Sequence, residues 1–325
     1  MSSLPEALIN KALATSPHPR RSYLFVPGNA LKRLDKALRS GADAVVFDLE
    51  DAVPEKEKQN ARAMVAEVLR RAVPSPGAPQ MWVRLNGAER DFVEDVRAVV
   101  CPVLHGVRLS KAERVEDVIA IDEELKRAET AMGRAQNSIA VALTIESALG
   151  LDQVRRLAAG PRVRHLCFGA TDFARDLGIE TGLDEDEMEL LLAKQGLVLA
   201  SRLANIEPPV ASAYTKLDDP DGLGRTTRLA RRLGFFGRSC IHPNQLAVVH
   251  ETFTPDREAV EKAEAIMVAW NEAIARGCAA TTAPGGVFID RAVMRRAEQV
   301  LLLAQAFGGP NASAPFGDNL ERKDA

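Results

Sequence analysis

No apolar run in the 325 residues approaches the ~18 needed to cross a bilayer, so no membrane span is expected. Cysteine is scarce. Cys101, Cys167, Cys240 and Cys278 are scattered, and none forms a C-x-x-C pair. That argues against a disulfide scaffold or a zinc centre and reads as mostly buried thiols in a reducing cytoplasm. An excess of one charge is missing too. Lys and Arg number 42, Asp and Glu 45, and the net charge is -3. A global polyanion-binding field, and with it a nucleic-acid partner, is not expected. The opening stretch, Met1 to Glu6, lacks a basic segment followed by an apolar core and does not read as a secretory signal, so a cytoplasmic location is expected. Familiar site motifs are absent as well. There is no G-x-G-x-x-G after the first strand; the stretch from Gly222 to Arg225 lacks the third glycine. No P-loop, no H-E-x-x-H and no G-x-S-x-G occurs. The histidines (His18, His105, His165, His242, His250) show no metal-ligand spacing, and His242, before a proline, reads as a turn former.

What is present is ordinary in bulk and informative in order. Hydrophobic residues make up 46% and charged residues 27%, a balance that can bury a full core. Short β-rich runs alternate with helical stretches. The strand candidates are Ser22–Val26, Ala44–Asp48, Met81–Leu85, Gly106–Leu109, Ile139–Ile145, Arg164–Phe168, Pro209–Ser212 and Phe235–Ile241. Several are continuously apolar, as strands covered on both faces should be. The stretches Asn29–Ser40, Glu55–Arg71, Arg114–Thr130 and Asp184–Asn205 follow helical spacing. Eight strand-helix units predict an α/β fold, a (β/α)8 TIM barrel. A doubly wound open sheet is the alternative. The expected organisation is an N-terminal segment over 1–20 with a helix from Glu6 to Leu13, a barrel over 21–254, a helical extension over 255–308, and a disordered tail over 309–325. The extension reads as a helix over Pro255–Arg276, a loop over Gly277–Gly286 and a helix over Asp290–Phe307.

In such a barrel, chemistry sits at the C-terminal ends of the strands. There the sequence puts Asp48, Glu50 and Asp51 after strand two, Arg84 and Asn86 at strand three, and Lys111 with Glu113 after strand four. Glu146 follows strand five and Asp172 strand six, with Tyr214 and Lys216 after strand seven and His242 after strand eight. Taken singly, each could be a solvated loop residue. Taken together, the carboxylates would repel one another without a cation. Many carboxylates, few histidines and no paired cysteines point to a hard, oxygen-ligated ion, Mg²⁺ before Zn²⁺. Arg84 beside such an ion suits an anionic oxygen, a carboxylate or an enolate.

These residues also carry a resemblance. The run from Arg21 to Gly28 (RSYLFVPG) resembles the opening strand of citrate lyase β-subunit-like proteins of the HpcH/HpaI aldolase superfamily. Phe47–Ala52 (FDLEDA), Val83–Asn86 (VRLN), Lys111–Glu113 (KAE), Ile145–Ser147 (IES), Phe168–Phe173 (FGATDF) and Cys240–Gln245 (CIHPNQ) continue it in order. The resemblance covers about residues 20–250. It implies a (β/α)8 barrel that makes or breaks a carbon–carbon bond next to an acyl thioester, with Mg²⁺. Carried over, Glu146 and Asp172 are metal ligands and Arg84 binds the anionic oxygen. Glu146 also belongs to the substrate pocket. Glu50 and Asp51 reach the metal through water, with Lys111 beside them. Arg21 and Lys32 are candidates for the phosphates of coenzyme A.

The stretch from Gly285 to Ala297 resembles the lid of malyl-CoA and citramalyl-CoA lyases, in which an aspartate closes over a neighbouring subunit's site as acid/base. That makes Asp290 a candidate catalytic residue, although it also suits the N-cap of the last helix. The chain departs from the family pattern with Arg291 and Ala292 where a proline is common, and with Ser110 before Lys111. The expected reaction is cleavage of a 3-hydroxyacyl-CoA (malyl-, methylmalyl- or citramalyl-CoA type) to an acyl-CoA and a 2-oxo acid. The alternatives are the citryl-ACP lyase subunit of citrate lyase, against which the extension argues mildly, and a metal-dependent aldolase on free 2-oxo acids. A non-enzymatic thioester-binding scaffold is a third. A homotrimer or hexamer is expected, because Ile266, Val268, Trp270, Val300, Leu302 and Leu303 need a covering surface.

Overall fold

The computed structural model describes residues 20–73, 78–87, 92–180, 187–282 and 286–308. The expected helix from Glu6 to Leu13 and the expected disordered tail over 309–325 lie outside them. The chain divides into two compact units, one ending at Phe253 and one beginning at Thr254.

The first unit is built on a parallel sheet. Its strands are β1 Ser22–Pro27, β2 Ala44–Asp48, β3 Gln80–Leu85, β4 Gly106–Leu109, β5 Ala140–Ile145, β6 Val163–Phe168 and β7 Arg238–Cys240. Their order is β6-β5-β4-β3-β2-β1-β7. Every pairing is parallel, so each connection crosses from strand end to strand start, and helices fill those crossovers. The apolar runs are explained by cover on both faces. In β2 all five residues are buried. Val45 and Phe47 join the large core shared with the helices. Ala44 and Val46 point the other way, into a smaller cluster with Tyr23, Trp82, Ala142 and Cys167.

Seven of the eight expected strands are strands. The expected strand Pro209–Ser212 is reduced to two isolated parallel bridges, Cys167↔Val210 and Ala211↔Arg238. Pro208 and Pro209 bring no N–H to a ladder, which limits the pairing to the residues after them. The expected strand Phe235–Ile241 shrinks to Arg238–Cys240, because Gly234 and Gly237 adopt left-handed backbone at φ +103 and +89.

Local signals set the helix ends. The Asp219 carboxylate accepts from the Gly222 amide and starts the helix Pro220–Leu233. Glu116 and Asp117 occupy the first turn of Val115–Ala131. The imidazole of His242 accepts from the Asn244 amide and caps the turn Pro243–Gln245. That is the turn-forming role expected of it.

The second unit pairs helix Arg257–Ala275 with helix Arg291–Ala306. The segment expected to be a plain loop over Gly277–Gly286 contains a short strand, Thr281–Thr282, antiparallel to Phe288–Ile289. Ile266 and Trp270 pack with Ala263, Ile289 and Ala297 inside this unit. Their cover is therefore internal, and Val268 and Leu302 are the exposed members of the apolar set.

Candidate active site

The C-terminal ends of β2 to β6 bring the expected rim residues together. Asp48 ends β2, and its carboxylate accepts from the amides of Glu50 (2.9 Å) and Ala52 (3.3 Å), which folds the following loop tightly. Arg84, near the end of β3, meets the same carboxylate with two nitrogens, Nε at 2.7 Å and Nη2 at 2.5 Å. Its remaining nitrogen, Nη1, reaches Glu50 at 2.8 Å and Asp51 at 3.4 Å. Burial works to lower the Arg84 pKa, but Asp48, Glu50 and Asp51 outweigh it and hold the guanidinium charged. Lys58 reaches from its helix to donate to the carbonyls of Leu49 (2.7 Å) and Glu50 (2.6 Å).

Lys111, just after β4, has left-handed backbone (φ +49), unfavourable for a residue with a side chain. The conformation aims its amide at Glu146 Oε1, 2.6 Å away, while its ammonium lies 3.5 Å from Glu50. Glu146 follows β5 and is buried. Gly169 leaves room for it, since a Cβ there would come within 2.5 Å of Glu146 Oε2. Burial raises the Glu146 pKa to about 7, with Glu50 and Asp172 adding to the rise and the Lys111 amide and Arg84 opposing it. Burial likewise raises Glu50. Asp172 stands in the first turn of helix Ala170–Leu177, 2.7 Å from Arg175.

A cavity of about 440 Å³ opens among these groups, lined by Asp48, Asp51, Arg84, Glu146 and Asp172. A second, of about 540 Å³, shares Asp51 and is lined by Glu50, Asn86 and Lys111. Carboxylates outnumber the cations that face them, and among the described residues Glu146 Oε2 has no hydrogen-bond donor, so the donor set suits a hard cation that keeps waters of its own. Among the described residues no group of three or more His, Cys, Asp or Glu is gathered as a complete protein cage.

Not every expected residue comes here. Arg21 sits before β1, at the opposite end of the strand, a separation of roughly 20 Å for six residues. It is held there by Asp43 through its amide (2.6 Å), Nε (3.0 Å) and Nη2 (2.9 Å). Lys32 is exposed on helix Leu31–Ala37 after β1, at the rim's end of the strand, but lines neither cavity. Tyr214 is buried and donates to Asp219 at 2.5 Å, fastening a helix start. Asp290 belongs to the second unit and caps its last helix by accepting from the Val293 amide at 2.9 Å.

The sequence reading missed Arg108, with Thr144 and Ser239, all lining the cavity. The signal was there. Val-Arg-Leu occurs at 83–85 and again at 107–109, and the register pairs Arg84 with Arg108.

The family model HpcH/HpaI aldolase/citrate lyase matches residues 21–243. The citrate lyase subunit beta of Haemophilus influenzae is 34% identical over 289 residues, 88% of this chain and 97% of that one. The L-malyl-CoA/beta-methylmalyl-CoA lyase of Cereibacter sphaeroides is 31% identical over 307 residues, 88% of this chain and 95% of that one. Among solved structures, a citrate lyase beta subunit from M. tuberculosis complexed with oxaloacetate and magnesium superposes with a TM-score of 0.59 at 26% identity, over 74% of this chain and 99% of that one. A match to 88% of the chain cannot fit within the first 253 residues. The likeness to citrate lyase therefore runs into the second unit, and the extension does not argue against that relative.

Proposed function

Because the chain belongs to the HpcH/HpaI aldolase/citrate lyase family, we propose that it is a Mg²⁺-dependent carbon–carbon lyase cleaving a 3-hydroxyacyl thioester to an acyl thioester and a 2-oxo acid. The observation that carries this reading is the convergence of Glu146, Asp172 and Arg84 on one cavity. Its scaffold is read as a (β/α)8 barrel, the segment at 210–211 standing as the eighth strand between β6 and β7.

Glu146 and Asp172 would hold the cation. When bound, it supplies Lewis acidity to the substrate's carboxylate and to the hydroxyl that becomes a ketone. Glu50 and Asp51 would add negative charge to the site and reach the cation through water. Loss of the hydroxyl proton lets the C–C bond break, leaving a 2-oxo acid and the enolate of the acyl thioester. Arg84, its plane fixed by Asp48, faces that developing oxyanion with a charge already in position. A proton delivered to the enolate carbon completes the reaction, and Asp290 of a neighbouring subunit is its proposed donor. Lys32, exposed beyond the end of β1, suits the phosphates of coenzyme A.

The preferred thioester is of the malyl-, methylmalyl- or citramalyl-CoA type. The second reading, a citryl group on an acyl carrier, is favoured by the 34% identity to a citrate lyase subunit. Purified protein with Mg²⁺, offered malyl-, citramalyl- and citryl-CoA with release of 2-oxo acid as the readout, tests the proposal. No release from any of them rejects it. A homotrimer or hexamer is part of the reading. Mixing inactive Asp290→Asn with inactive Glu146→Gln protein should regenerate active sites by subunit exchange. No recovery after proven exchange would refute the trans arrangement.

A further inference from the structure

An imbalance opposite in sign to the acidic rim lies on the other face of β7. Successive strand residues point to opposite faces. Ser239 lines the active-site cavity, so Arg238 turns outward, among the helices Leu191–Ala204 and Pro220–Leu233. It is 3% exposed there. Its Nη1 donates to Thr227 Oγ1 at 3.0 Å, and its guanidinium carbon lies 5.8 Å from the centroid of the Tyr214 ring. Nε is buried and, among the described residues, has no acceptor. A second buried cation, Lys194, borders the same small space and is already paired with Glu187. Among the described residues Glu187 is the one carboxylate lining that space. Two cations against one carboxylate leave a net positive charge inside the protein. Arginine keeps its charge at every working pH, and burying that charge is unfavourable unless an anion joins it.

The space has room for one small occupant. The centre of a water-sized sphere has about 10 Å³ in which to sit. The hydroxyls beside it have spent their protons: Thr226 Oγ1 donates to the Gly222 carbonyl at 3.0 Å, and Ser212 Oγ to the Phe168 carbonyl at 2.7 Å. The donors left for an occupant are the Arg238 guanidinium and the Lys194 ammonium, both cationic. We infer that this space is a binding site for a monatomic anion, a halide such as chloride. A water would satisfy the orphaned N–H but would leave the charge standing. The site does not depend on the lyase reading, yet it adjoins the chemistry. Phe168 and Ser212 border both this space and the active-site cavity. Ser212 Oγ also accepts from the Ala170 amide at 2.7 Å, at the start of the helix that carries Asp172. The anion thus stands behind the wall that holds a proposed metal ligand.

Thermal unfolding in chloride is compared with unfolding in gluconate, an anion too large to enter, at fixed ionic strength. Tm should rise by roughly 2–4 °C and level off as chloride goes from about 1 to about 100 mM. Bromide should act in the same way, and crystals grown in bromide should show an anomalous peak between Arg238 Nε and Lys194 Nζ. In Arg238→Met, which removes the unbalanced charge, Tm should no longer respond to chloride. No rise, a rise that never levels off, or one that persists in folded Arg238→Met overturns the site. So does density without anomalous signal, which is a water. A bromide peak with no chloride-dependent Tm marks an adventitious ion only and overturns it as well. If Arg238→Met does not fold, the chloride titration and the bromide map of the unmodified protein decide together.

Discussion

The two ends of the parallel sheet use the same residue types to opposite effect. At the strand starts, buried Arg20 donates to Tyr23 (2.9 Å) and Gln80 (2.9 Å) and pairs with Glu207, which also receives Arg164 at 2.7 Å. Cations there find carboxylates close by. At the strand ends, Arg84 faces Asp48, Glu50 and Asp51, while Glu146 and Asp172 border the cavity beyond it. One end is a plug in which each named cation has a carboxylate beside it, and the other is an over-acidic cup. The difference teaches that arginine and carboxylate near a strand terminus do not by themselves mark a site. An unbalanced charge beside open volume does.

The largest effect should come from removing what balances the cup. Chelation with EDTA is expected to abolish turnover and Mg²⁺ to restore it. Glu146→Gln or Asp172→Asn should lower turnover by ~10²–10³-fold. Thermal unfolding of Glu146→Gln should hold or rise, because a buried like-charge repulsion is relieved. Full activity in metal-free protein would erase the contrast between the ends. Next comes the plug. Glu207→Gln takes the shared carboxylate from Arg20 and Arg164 and should cost about 3–5 kcal/mol in denaturant unfolding while kcat is kept. A loss of turnover at unchanged stability would show that the plug serves chemistry after all. Gly169→Ala crowds Glu146, meeting its Cβ at 2.6 Å as well as its carboxylate, and should weaken Mg²⁺ binding by about 10–100-fold in calorimetric titration and lower Tm. The smallest effect belongs to Tyr23→Phe, which removes one acceptor from Arg20 and should cost about 1–3 kcal/mol, again without touching kcat.

Much of this division can be read from the chain. Strands covered on both faces are apolar throughout, so β2 and β5 stand out, and the residues that follow them fall on the rim by topology alone. That is why Asp48, Glu50, Arg84, Lys111, Glu146 and Asp172 are found together. The plug is hidden, because its partners are remote: Arg20 and Glu207 stand 187 residues apart. Arg21 stands away from the rim for a related reason. It abuts a strand, but at its start, where the basic residues meet Asp43 and Glu207. Arg108 lies inside a strand, where an inward arginine looks like any interruption of an apolar run until its neighbours across the sheet are known. The short strand Thr281–Thr282 escapes because two residues carry no periodicity.

Asp48 has one more consequence, visible when its lone pairs are counted. A carboxylate offers about four acceptor positions. Oδ1 receives Arg84 Nε and the Glu50 amide, and Oδ2 receives Arg84 Nη2 and the Ala52 amide. Nothing is left for a metal ion or a proton in transit. Asp48 is thus a saturated acid at the centre of the site, barred from acting as ligand or base while its neighbours are in place. Glu146, with the Lys111 amide on Oε1 and, among the described residues, no donor on Oε2, keeps valence in reserve. Of the acids gathered here, the ones able to react are those the backbone has left unfinished.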